Sequence, residues 1–115
     1  MVRERDNKKY EKKPSPFQGT GEILVRYLLT GEDEMYQTGR LFGHTTIYPG
    51  SVIGYHVHQK ESETYYILSG TAKFNDNGAI KILQAGDVAF TGAGEGHGIE
   101  ALGNEPVELI GTDFV

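Results

Sequence analysis

The stretch PGSVIGYHVHQKESETYYILSG, Pro49–Gly70, holds two of the chain's four histidines one residue apart, with a glutamate five residues past the second. Pro49-Gly50 reads as a turn, and the β-branched and aromatic residues that follow read as a strand over Ser51–His58. Residues two apart on a strand project to the same face, so His56 and His58 point together. Gln59–Ser62 is polar and of hairpin-loop length, and Glu63–Leu68 reads as the next strand. If that loop folds back, Glu63 stands nearly opposite His58, with Cβ atoms about 4.5–5.5 Å apart. Groups that close can bind one ion at about 2.0–2.2 Å, the bond length typical of zinc and similar metals.

Working outward, strand signals continue on both sides. Glu22–Leu29 and Arg40–Tyr48 precede the stretch, with a polar turn at Gly31–Glu34 between them. Gly70 suggests a bulge or bend before Thr71–Asn75. Asn77-Gly78 fits a type I′ hairpin turn into Ala79–Leu83. Val88–Thr91, Ile99–Leu102 and Val107–Phe114 complete the series, separated by Gln84–Asp87, the glycine-rich GAGEGHG and Gly103–Pro106. Short strands at roughly ten-residue spacing with turns between them imply an all-β sandwich or barrel. No stretch has helical periodicity. Pro14-Ser15-Pro16 marks a boundary, because the residue before a proline avoids helix. The chain therefore divides into an N-terminal arm, 1–19, read as an edge or exchanged strand, and a barrel, 20–115.

Bulk properties narrow the chemistry. With 115 residues the chain suits one domain, and with no cysteine it excludes disulfides, thiolate metal sites and cysteine nucleophiles. The lack of cysteine fits a reducing compartment, and no apolar run reaches the roughly 18 residues of a membrane helix. A cytoplasmic protein without a membrane partner is expected. Residues 1–13 carry six Lys/Arg and three Asp/Glu, leaving five and thirteen for the rest. The body is acidic, so nucleic acid is not an expected partner. The basic arm mixes both signs and reads as a solvated or edge segment.

His97 lies among glycines, which let the backbone turn sharply and clear space around a site. At this point the sequence resembles the cupin superfamily. That family's first motif spaces Gly, His-x-His, Glu and Gly as Gly50, His56, His58, Glu63 and Gly70 are spaced here. Its second motif is matched by Gly86, Gly94 and His97, but Gly92 stands where proline is usual and Ala101 where asparagine is usual. The resemblance covers about residues 20–115 and is strongest to small single-domain, oxalate-decarboxylase-like manganese cupins. It implies a double-stranded β-helix, or jelly roll, with His56, His58, Glu63 and His97 binding one divalent metal. Manganese is the first expectation; iron, nickel, cobalt and zinc also suit mixed nitrogen and oxygen donors. It also implies a homodimer.

Around that ion, Tyr65 and Ile67 share parity with Glu63 and should face the lumen, whereas Tyr66 and Leu68 face away. Tyr65 and Glu95 are the candidate catalytic residues beyond the ligands; Glu95 is a candidate acid or base because it sits two residues from His97. His44 is a candidate neighbour or substrate contact, and Glu61 reads as a solvated loop residue. GAGEGHG lacks the helix that a phosphate-binding loop needs. The expected function is a metalloenzyme acting on a small oxygen-bearing molecule, a carboxylate above all, by decarboxylation, dioxygenation or isomerisation. The alternative is a non-catalytic, metal-dependent small-molecule binder. The absence of arginine from both motifs weakens an oxalate assignment.

Overall fold

The computed structural model describes all residues, 1–115. Ten strands follow in chain order: β1 (Tyr10–Pro14), β2 (Glu22–Leu29), β3 (Gly39–Ile47), β4 (Val52–Val57), β5 (Ser62–Ser69), β6 (Thr71–Asp76), β7 (Ala79–Leu83), β8 (Val88–Thr91), β9 (Gly96–Leu102) and β10 (Val107–Phe114). They form a six-stranded sheet in the order β1-β2-β3-β10-β5-β8 and a four-stranded sheet in the order β4-β9-β6-β7. Every pairing is antiparallel. The result is the all-β sandwich that the strand spacing implies, in the jelly-roll form that the family resemblance implies. The polar segment Gly31–Glu34 closes as one helical turn.

Local chemistry sets the turns. Asn77 and Gly78 both take positive φ, 51° and 100°, as a type I′ turn requires, and Asp76 pairs with Ala79 across it. Gly70, at φ 87°, is where the chain leaves one sheet for the other. A Cβ there would stand 2.4 Å from the Pro106 carbonyl oxygen, so no side chain fits that crossing.

The arm joins the sheet. β1 pairs with β2 from Tyr10 opposite Arg26 to Pro14 opposite Glu22, and so forms the edge of the six-stranded sheet.

The space between the sheets is divided. Its apolar part packs Ile23, Val25, Ile47, Ile53, Ile67, Phe74, Ile99, Val107 and Leu109. The rest buries His58, Glu63, Thr91, His97 and Asp113. Burying polar groups is unfavourable unless they are paired or bind an ion, so that polar end demands a reason.

Candidate metal centre

Five strands deliver the polar cluster. His56 lies on β4 directly opposite His97 on β9. Glu63 on β5 pairs with Thr91 on β8 and Asp113 on β10. His58 follows the end of β4, where its backbone N–H donates to the Glu95 carbonyl at 3.0 Å.

Two expectations are corrected here. β4 and β5 are not a hairpin: they belong to different sheets, and Glu63 meets His58 across the interior rather than as a ladder neighbour. A four-residue connection is long enough for either path, and β5 is flanked on both sides by β10 and β8, leaving no edge for β4. His97 does not sit on a glycine loop but inside β9, which starts at Gly96. Gly96 and Gly98 instead make room for Tyr55: a Cβ on Gly96 would meet the Tyr55 hydroxyl at 2.3 Å.

The donor atoms converge. His97 Nε2 lies 3.0 Å from His58 Nε2, 3.2 Å from His56 Nε2 and 3.0 Å from Glu63 Oε1, and His58 Nε2 lies 3.3 Å from Glu63 Oε1. One donor atom from each of the four residues lies within 4.8 Å of all the others. A metal with bonds of about 2.1 Å holds adjacent donors about 3.0 Å apart at right angles, so the spacing fits a shared ion.

The outward ring nitrogens fix which atom faces inward. His56 Nδ1 donates to the Gly54 carbonyl at 2.8 Å, and His97 Nδ1 contacts Thr91 Oγ1 at 2.8 Å. The carbonyl only accepts, so His56 Nδ1 carries the proton and His56 Nε2 presents its lone pair to the cluster; with its proton on Nδ1, given to Thr91 Oγ1, His97 would do the same. Three imidazole nitrogens and a carboxylate converging on one point repel unless a proton or a cation lies among them. The cluster could therefore hold a metal ion.

Electrostatics agree with that assignment. Burial and the neighbouring His58 push His97 down to about 4, which keeps its ring neutral and free to ligate at pH 7. Burial likewise lowers His56. Without a cation, burial raises Glu63, and burial together with Glu63 lifts Asp113 to about 9. The two carboxyls face one another, and one oxygen of Asp113 has no hydrogen-bond partner. A cation would reverse this balance by favouring the carboxylate.

Tyr65 sits where its parity places it, 6% exposed, its ring stacked on His97 at 5.1 Å and its hydroxyl directed to Glu63. Burial drives its phenol well above the ordinary value. Ile67 is buried, whereas Tyr66 and Leu68 are exposed on the outer face. Glu95 is not brought to the cluster: its side chain is exposed and accepts from the Gly92 N–H at 2.8 Å, capping its own turn. His44 also lies apart, on the outer face of the six-stranded sheet, 2.9 Å from Glu108, which accepts from Thr46 as well. Glu61 is half-buried at the cavity rather than solvated, 3.9 Å from His58 Nδ1.

Sequence reasoning missed Asp113 and Thr91. The signal for Asp113 was present: Val107, Leu109, Gly111 and Asp113 share one parity, and the acid continues an inward row. A cavity of about 320 Å³ reaches the cluster. Ile23, Val25, Leu41 and Leu109 make it apolar on one side, and Lys13 and Arg40 bring cations to it. Arg40, outside both motifs, thus reaches the site through the fold.

A family model for the cupin domain matches residues 43–113, which carry all four donors. This chain belongs to the cupin family. Among curated relatives, the cupin is 45% identical over 92 residues to an oxalate-binding protein of Thermotoga maritima, covering 80% of this chain and 75% of that one. Among solved structures it superposes on a predicted oxalate decarboxylase from Thermotoga maritima with a TM-score of 0.94 at 37% identity, covering 100% of this chain and 99% of that one. An RmlC-like cupin from Shewanella frigidimarina shares the fold at a TM-score of 0.77 and 20% identity, covering 96% and 86%.

Proposed function

We propose that this cupin binds one divalent metal ion, manganese first, through His56, His58, Glu63 and His97, and uses it to hold a small carboxylate of the oxalate kind. The observation that carries the reading is the convergence of three imidazole Nε2 atoms and a glutamate oxygen at a cavity. Four protein donors leave positions on a six-coordinate ion for two ligand oxygens. The metal would supply Lewis acidity there. Lys13 and Arg40, paired with Glu11 at 3.9 Å and Glu32 at 3.2 Å, are the cations on the cavity wall available to an anion. The Thermotoga relative, named for binding oxalate, supports the same class of ligand.

Tyr65 is the protein group best placed to act on a bound ligand, since its hydroxyl meets Glu63 and its side chain lines the cavity. Decarboxylation, dioxygenation or isomerisation would all suit such a site. We further propose that the chain is cytoplasmic and pairs with a second copy through the outer face of the six-stranded sheet, where Tyr66, Leu68, Val88 and Phe90 are exposed. Light scattering at micromolar concentration should give twice the monomer mass.

Calorimetric titration of oxalate into manganese-loaded and chelator-treated protein tests the central reading. One-to-one binding that requires the metal supports it. Equal binding without metal, or no binding with any of manganese, iron, nickel, cobalt or zinc, would overturn it. Release of formate and carbon dioxide in the same samples would add catalysis to binding.

A further inference from the structure

The segment between β1 and β2 reaches back over the metal centre. The Phe17 ring lies on the His56 imidazole with centroids 3.7 Å apart and planes 10° from parallel. Phe17 is otherwise 62% exposed, so this is not a core residue finding its place. Its backbone is left-handed, at φ 51°, as are those of Ser15 at 45° and Gln18 at 62°. Non-glycine residues adopt that region only under constraint.

The constraint is visible. Pro16 is buried, the Gly19 N–H donates to the Pro16 carbonyl at 3.0 Å, and Thr20 and Val52 exchange backbone hydrogen bonds at 3.1 and 2.8 Å. The segment presses so closely on β4 that a Cβ on Gly54 would stand 2.1 Å from the Phe17 carbonyl oxygen. Gly54 is also the residue whose carbonyl accepts from His56 Nδ1. One glycine thus admits Phe17 and orients the imidazole that Phe17 covers. Phe17 and Lys13 both line the cavity, and both lie outside the residues matched by the family model.

Resting on the metal-binding reading above, we propose that Phe17 is a positioning residue of the metal centre. Its ring holds the His56 imidazole in the plane that aims Nε2 at the ion. A coordinated imidazole gives up electron density and becomes a better partner for the electron-rich face of a benzene ring. Metal binding and stacking therefore reinforce each other. The arm, which reads as an appendage, becomes a wall of the site.

The test measures Mn²⁺ and Zn²⁺ affinity by calorimetry for wild type, Phe17→Ala, Phe17→Leu and Phe17→Trp, with the His56 ring-proton resonances as a spectroscopic readout. Loss of one aromatic stack should weaken metal binding by about two- to twelvefold in the Ala and Leu variants. Trp should restore it, and the His56 resonances should move in step. Wild-type affinity in both the Ala and Leu variants would overturn the inference, as would full rescue by Leu, which covers the ring without stacking on it. Wild-type protein that takes up neither metal would sink the metal reading and this inference together. Uptake by all four proteins with equal affinity would sink only this inference.

Discussion

Replacing Glu63 by Gln should move stability and metal affinity in opposite directions. Glu63 and Asp113 are 6% and 9% exposed and face each other, and burial raises both carboxyls when no cation is present. Gln keeps the shape, removes one acid, and its amide N–H can donate to Asp113. The hydrogen bond between the two side chains is exchanged, not added, so the metal-free variant should gain about 1–2 kcal/mol from losing one buried charge. At about 4 °C per kcal/mol for a chain of this size, that raises the melting temperature by about 4–8 °C. Metal behaves oppositely. At a concentration 100 times its Kd, an ion adds about 2.7 kcal/mol, or about 10 °C, to wild type. Loss of a direct ligand should weaken binding by about 100-fold, at least the scale of losing a supporting contact. The same metal concentration then adds only about 0.4 kcal/mol, or about 2 °C. Thermal melts with chelator and with Mn²⁺ give all four values. A Gln variant that melts below wild type in chelator, or keeps the full metal shift, would refute the reasoning.

Two further outcomes follow from the buried groups. Above pH 6.5, where His97 is neutral in both states, metal-free protein should lose stability as pH rises toward about 9, because folded Asp113 keeps a proton that the unfolded chain gives up. The limiting slope is about 1.4 kcal/mol per pH unit, and urea midpoints should show it in wild type but not in Asp113→Asn. Below pH 6.5 His97 acts with the opposite sign, since the unfolded chain now binds the extra proton, and the profile should bend there. Tyr65→Phe removes the hydroxyl directed to Glu63 and should lower metal affinity by about tenfold, read by calorimetry, while costing about 1 kcal/mol of stability.

Much of the barrel was legible because local rules and the fold agree. The Asn77-Gly78 turn needs positive φ at both residues, and the sequence supplies the two residue types that tolerate it. Alternation along β5 placed Glu63, Tyr65 and Ile67 inside and Tyr66 and Leu68 outside. What alternation does not carry is which strand lies beside which. The connection from His58 to Glu63 has the length of a hairpin loop, yet it crosses from one sheet to the other. The glycines around His97 read as a sharp turn clearing space around a site because their purpose, space for Tyr55, depends on a strand about forty residues earlier in the chain. Arg40 and Phe17 reach the site only through tertiary approach, Phe17 through backbone conformations that no propensity favours. The four donors were legible because their spacing is local in one half and matched by a single histidine in the other.

The most direct measurement is metal content, by elemental analysis of untagged protein after reconstitution, in wild type and His58→Ala. The account predicts one equivalent of a divalent metal per chain in wild type. In the folded variant, where one of four converging donors is gone, that content should fall at least about tenfold. Wild-type protein that takes up no metal, or a variant that retains a full equivalent, would contradict it.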